Sequence, residues 1–245
     1  MKLEDYLEET WDPARPARPF PDNLEIPFDL TREFSALYKM TEANGRECGY
    51  ILFFDGRNSP IRHGPVALGS SISMSIPRSN SYYNFGNAHA HPSGSVGHAG
   101  GFSAHSMQDL LTFEQETDKT VFMEFVVSGQ KLYAMVSRTG WSRFGDAVRG
   151  FANTKKDQIS AEATDYAIKK NFRSDTEYQD KLSSFNDQIQ VNRFFDDLKK
   201  RTPGFGKKME ELSISSCAEF ARRFGYGFYS GKTDGFGGRK LHLQK

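Results

Sequence analysis

The sequence predicts an α/β fold, a mixed sheet flanked by helices, followed by a mostly helical extension. Three observations predict it. Short runs rich in strand formers recur through the first 140 residues. Segments of helical period stand among them at 28–43 and 106–116. From about residue 150 only helical periodicity remains. The chain has 245 residues, enough for one large domain or one medium domain with an accessory piece.

The elements follow in order. Prolines stand at 13, 16, 19, 21 and 27, half of the ten in the chain. A helix or a central strand does not tolerate that density, so 1–27 reads as a Pro-rich extended arm. Leu30, Phe34, Leu37 and Tyr38 recur at helical spacing and predict an amphipathic helix over 28–43, ended by Asn44-Gly45. Cys48 to Phe54 is a short apolar run closed by Asp55-Gly56, hence a strand. Ile72, Met74 and Ile76 alternate with serines, the pattern of a half-buried strand. Residues 92–105 are small, polar and Gly-rich, hence a loop. A helix over 106–116 follows, with Ser106 as N-cap and Asp109 three residues on. Val121–Val127 and Leu132–Val136 read as a hairpin across Ser128-Gly129-Gln130. Residues 156–171, 174–201 and 207–224 read as helices. The tail 225–245 carries six glycines and reads as a loop or disordered segment. The organisation is therefore an arm over 1–27, an α/β domain over 28–148 and a mostly helical accessory region with a Gly-rich tail over 149–245.

Composition excludes several classes. With 21 Phe, 10 Tyr and 2 Trp there is ample core material, against disorder. Two cysteines exclude a disulfide scaffold and a Cys-rich zinc module. The net charge of +1 argues against a dedicated nucleic-acid binder. Residues 151–245 carry 18 Lys+Arg against 13 Asp+Glu, a mild excess that reads as a solvated helical surface. No apolar run approaches a membrane span, and the acidic N-terminus MKLEDYLEETWDP lacks a signal core. The expected compartment is cytoplasmic.

The chemistry concentrates in Asn87-Ala88-His89-Ala90-His91-Pro92. Histidines at i and i+2 point the same way on an extended chain, and Pro92 stops the strand after the second. Two imidazoles at a strand end start a metal site. Asp109 is the best-placed third ligand, with His98 and His105 in the intervening loop as alternatives. Two His, one Asp and an open position make a pattern of catalytic zinc. A hydrolytic site also needs a base for the attacking water. Glu47, at the edge of a buried strand where desolvation raises a carboxyl's pKa, is a candidate, as are Glu42 and Asp55.

Glu47-Cys48-Gly49-Tyr50-Ile51-Leu52, then His89-Ala90-His91-Pro92, then Ser106-Met107-Gln108-Asp109 resembles the JAB/MPN (JAMM) metalloprotease family. That family has a glutamate before a Cys-Gly-apolar strand, then His-x-His-Pro, then Ser-x-x-Asp. The resemblance covers roughly residues 28–140 and implies a divergent, prokaryotic-type member with a cytidine-deaminase-like α/β core. It implies zinc on His89, His91 and Asp109, Glu47 as general base and Ser106 as donor to the developing oxyanion. The expected substrate is a peptide or a ubiquitin-like conjugate linkage. One departure stands out: fourteen residues, Pro92 to His105, separate the second His from the Ser, where the family has seven.

Plainer readings stand beside these. His89 and His91 alone could be loop histidines, and Ser-x-x-Asp is an ordinary helix start. Cys48 and Cys217 read as buried small hydrophobes. The competing functions are a non-catalytic MPN-like scaffold and a zinc hydrolase of a non-protein substrate. The helical region after 149 is a candidate surface for a protein partner.

Overall fold

The computed structural model describes residues 1–10, 19–54, 59–69, 84–92, 104–116, 123–137, 144–232 and 240–245. Within them the chain is mixed α/β. The helices are α1 Leu3–Thr10, α2 Phe28–Asn44, α3 Met107–Glu116, α4 Gly145–Asn171, α5 Asp175–Ser183, α6 Gln188–Arg201 and α7 Phe205–Phe224. The strands are β1 Asn23–Glu25, β2 Cys48–Phe53, β3 Arg62–His63, β4 Ala67–Leu68, β5 Asn84–Ala90, β6 Met123–Ser128, β7 Lys131–Val136, β8 Gly227–Lys232 and β9 Lys240–Leu243. All nine belong to one sheet, ordered β1-β9-β8-β7-β6-β5-β2-β3, with β4 also paired to β2.

Among the described strands only β5 and β6 pair in parallel, the other strand pairs being antiparallel; an isolated parallel bridge also joins Lys2 to Glu25. A parallel pair needs a crossover, and the segment from His91 through α3 is that crossover. The start of α3 therefore returns over the carboxyl end of β5, where His89 and His91 lie.

Each strand side chain alternates between two layers. Phe125 and Val127 face one layer, where Leu3 and Leu7 of α1 and Leu30, Phe34 and Leu37 of α2 pack on Tyr50, Ala88 and Ala134. Phe34 meets Phe125 at 5.2 Å between ring centroids. Val126 faces the other layer with Tyr133, Met135 and Phe228. Leu110 and Phe113 of α3, Phe151 of α4, Leu198 of α6 and Phe220 of α7 cover that side. The last strands, drawn from the C-terminal region, thus complete the sheet that carries the histidines.

Several sequence expectations need correction. The first ten residues are not an extended arm. Leu3, Tyr6 and Leu7 are spaced i, i+3, i+4 and buried on α1; the downstream prolines outweighed that short signal. The extended reading holds nearer Pro21 and Pro27, where β1 lies at the sheet edge that proline tolerates. The Gly-rich tail is not coil: 227–232 and 240–243 are strands. There glycine serves close approach. A Cβ on Gly231 would lie 2.5 Å from the Lys240 carbonyl oxygen on the next strand. The stretch 174–201 is two helices. Asp187 caps α6 by accepting from the Gln190 N–H at 2.8 Å, so Asn186-Asp187 breaks the run. The strand expected around Ile72–Ile76 and loop residues 93–103 lie outside the described residues.

Gly86 on β5 gives a test of the packing beneath the site. A Cβ there would lie 2.3 Å from the Met123 carbonyl oxygen. Gly86→Ala should cost about 1–3 kcal/mol through overpacking. Gly150, on the exposed face of α4, has nothing within 4 Å of an added Cβ. Gly150→Ala should stabilise by about 0.5–1 kcal/mol. Urea unfolding midpoints of the two variants should move in opposite directions.

Candidate metal centre

His89 sits inside β5, paired with Gly49 of β2 on one side and Val126 of β6 on the other. His91 follows the strand, and its N–H donates to the Val127 carbonyl at 2.9 Å. That bond carries the extended conformation past Ala90, so both imidazoles project to the same face. Ala88 and Ala90 fill the opposite face against α2. The small alanines let the strand lie flat on that helix while the alternate positions carry polar rings.

Asp109 comes from the first turn of α3. Its backbone N–H donates to Ser106 Oγ at 3.1 Å, and the Ser106 N–H donates to Asp109 Oδ2 at 2.6 Å. This reciprocal capping pair satisfies helix-start donors and holds the carboxylate in one orientation. The helix N-terminus also favours the negative charge.

The three side chains meet. His89 Nε2 and His91 Nε2 are 3.0 Å apart, and Asp109 Oδ2 is 3.6 Å from the first and 3.5 Å from the second. A tetrahedral ion with bonds of about 2.0–2.1 Å spaces its ligand atoms by about 3.4 Å, so this triangle fits such an ion. Two imidazole nitrogens facing each other at 3.0 Å repel if both present lone pairs. A proton or a cation between them removes the repulsion. The His89–His91–Asp109 group could therefore hold a metal ion. Burial pushes the Asp109 carboxyl up, but the charges and contacts of His89 and His91 outweigh it and hold it well below the usual carboxylate range.

Glu47 lies just before β2 and is 7% exposed. Cys48 pairs with Ala90, so continuing the register sets Glu47 opposite His91. The Gly69 N–H donates to the Glu47 carbonyl at 2.8 Å, fixing the backbone there. Burial raises the Glu47 carboxyl; His91 and His89 pull it down, Asp109 pushes it further up, and the net shift is upward. Ser106 accepts from the Asp109 N–H, which leaves its hydroxyl proton to donate.

Of the two alternative ligands, His98 lies outside the described residues. His105 is fully buried away from the triangle, with Nε2 3.2 Å from the Glu124 carbonyl oxygen. Burial lowers its imidazole to about 3. Its carbonyl accepts from Cys217 Sγ at 3.4 Å. Burial raises the Cys217 thiol well above its ordinary value, and Asp109 and Glu124 add to this. It is therefore a packed thiol rather than an activated nucleophile.

The sequence reading missed Glu124. It is buried in β6 with Oε1 3.7 Å from His89 Nδ1. A charged residue in the middle of the apolar run Met123–Val127 was the available signal.

No helix among the described residues is long and apolar enough to cross a membrane. No protein-family model, curated protein or solved structure matches this chain.

Proposed function

We propose that the chain is a zinc-dependent peptidase or isopeptidase of the JAMM type, hydrolysing a peptide or ubiquitin-like conjugate linkage. One observation carries the reading: a buried His-His-Asp triangle of zinc-ligand dimensions beside a buried glutamate whose pKa is raised. A ligand triangle alone suits a structural or a catalytic metal. The adjacent proton acceptor favours catalysis, because a scaffold has no use for a destabilised carboxylate.

His89 Nε2, His91 Nε2 and the Asp109 carboxylate would hold the zinc. Bound there, zinc supplies Lewis acidity toward the scissile carbonyl and the attacking water. The Glu47 carboxylate takes a proton from that water as its oxygen bonds to the carbonyl carbon. Glu47 then returns the proton to the amine nitrogen as the C–N bond breaks. Its raised pKa favours holding that proton until the amine leaves. The Ser106 hydroxyl donates to the carbonyl oxygen as charge builds on it. Its backbone is held by the same capping pair that orients Asp109.

The test is metal analysis of the purified protein together with a panel of fluorogenic peptides and ubiquitin-like conjugates. The native protein should carry one zinc per chain and cleave members of the panel. Chelation should abolish cleavage and added zinc restore it. Zinc at a hundredfold excess over Kd should also stabilise the fold by about 2.7 kcal/mol, visible as a raised Tm. Zinc-loaded protein that cleaves no member of the panel would favour the scaffold reading.

A further inference from the structure

Glu124 is the second residue of β6, between Met123 and Phe125, and is 3% exposed. Its neighbours along the strand are core residues. A carboxylate buried in such a place costs several kcal/mol unless other groups compensate it. Two histidines lie on its carboxylate oxygens. Oε1 lies 3.7 Å from His89 Nδ1, the ring nitrogen turned away from His91 and Asp109. Oε2 lies 3.7 Å from His105 Nε2.

His105 is neutral at physiological pH, since burial lowers its imidazole to about 3. Its Nε2 faces the Glu124 carbonyl oxygen at 3.2 Å, an acceptor, so the proton of the neutral ring belongs on Nε2. That proton is donated to the Glu124 backbone carbonyl, while the carboxylate oxygen near His105 is Oε2 and the one near His89 is Oε1. The ring lies edge-on to Phe228 with 6.2 Å between centroids, and the His105 backbone carbonyl accepts from Cys217 Sγ of α7.

We propose that Glu124 is a positioning residue of the metal centre. Its carboxylate holds the His89 proton on Nδ1, so that Nε2 presents its lone pair toward His91 and Asp109, and His105 braces Glu124. The inference rests on the zinc-site reading above. A neutral imidazole carries one proton, and the ligating nitrogen must be the one without it. A carboxylate at Nδ1 selects that tautomer, fixes the ring plane and offsets the positive charge that a bound cation draws onto the ring. The separation of 3.7 Å is longer than a hydrogen bond. Closing it to about 2.9 Å takes a displacement of about 0.8 Å, within reach of the glutamate's torsions.

The simpler role for Glu124 is a structural partner of buried His105 and nothing more. Zinc affinity separates the two roles, because a structural partner leaves it unchanged. Glu124→Gln keeps the shape and loses the charge. Its zinc Kd, measured by chelator competition at fixed pH, should rise about 10- to 100-fold, with the metal-free fold retained by circular dichroism. A Kd within twofold of native in a folded variant overturns the proposal.

If the variant does not fold, the native protein decides. Nitrogen-15 histidine spectra of the zinc-loaded form should show His89 protonated on Nδ1, with slow exchange of that proton, and metallated on Nε2. Zinc on Nδ1, or an Nδ1 without a proton, overturns the proposal. Native protein that binds no zinc removes the site reading and this inference together. Native zinc binding with unaltered affinity in Glu124→Gln removes this inference alone.

Discussion

Glu47→Gln should leave zinc content and folding nearly intact and lower turnover by roughly two to four orders of magnitude, the usual worth of a positioned acid or base. The substitution is almost isosteric, so packing around the β2 edge should hold. The amide cannot accept the proton of the attacking water, nor deliver one to the leaving amine. The measurement is kcat on any substrate found in the panel, beside metal analysis of the same preparation. The pH profile adds a second readout. A base works only when ionised, and the Glu47 pKa is raised. The protonated, inactive form therefore persists to higher pH than for an ordinary glutamate, and activity should rise with pH through the shifted value. With zinc in place the acidic limb belongs to the coupled glutamate–metal site rather than to Glu47 by itself. A Glu47→Gln protein that turns over at the native rate would remove Glu47 from the mechanism, whatever its metal content.

His91→Ala should lose most of the bound zinc, because His89 and Asp109 would remain as only two protein ligands. Loss of the metal's charge stabilisation, worth several kcal/mol, corresponds to roughly a hundredfold to ten-thousandfold drop in turnover at about 1.4 kcal/mol per decade. The ring is 4% exposed, so the truncation also opens a cavity, and the metal-free Tm should fall modestly. Zinc content after dialysis is the decisive measurement, since a cavity alone does not change stoichiometry. Stoichiometric zinc in His91→Ala would place the metal elsewhere. Asp109→Ala tests the third corner in the same way. If it keeps zinc while His105→Ala or His98→Ala loses it, the long segment between Pro92 and Ser106 carries a different ligand.

The helix over the first core was legible because Leu30, Phe34 and Leu37 repeat at its own period, and the structure buries those side chains on α2. The run Cys48–Phe53 and the 123–136 hairpin were legible for the same reason: their β-formers and turn residues are local signals. The helix start at Ser106 was legible because a capping pair is written three residues apart. Glu124 was not weighed, although a carboxylate inside an apolar strand is visible to the eye. Its meaning depends on the neighbouring strand, and no spacing in the sequence places residue 124 beside residue 89.

The sequence by itself determined the α/β class, the direction shared by His89 and His91, and the capped helix that carries Asp109. Each follows from a backbone period or a cap that acts within a few residues. Only the tertiary structure decided that 227–232 and 240–243 complete the sheet. A Gly-rich strand holds its shape through the strands beside it, and those come from far away in the chain. Only the parallel pairing of β5 with β6 brings α3 back over the strand end, closing a triangle with edges of 3.0, 3.5 and 3.6 Å from residues up to twenty positions apart. The same pairing sets Glu124 and His105 behind His89. Such contacts depend on register and crossover, which are global properties of the folded sheet.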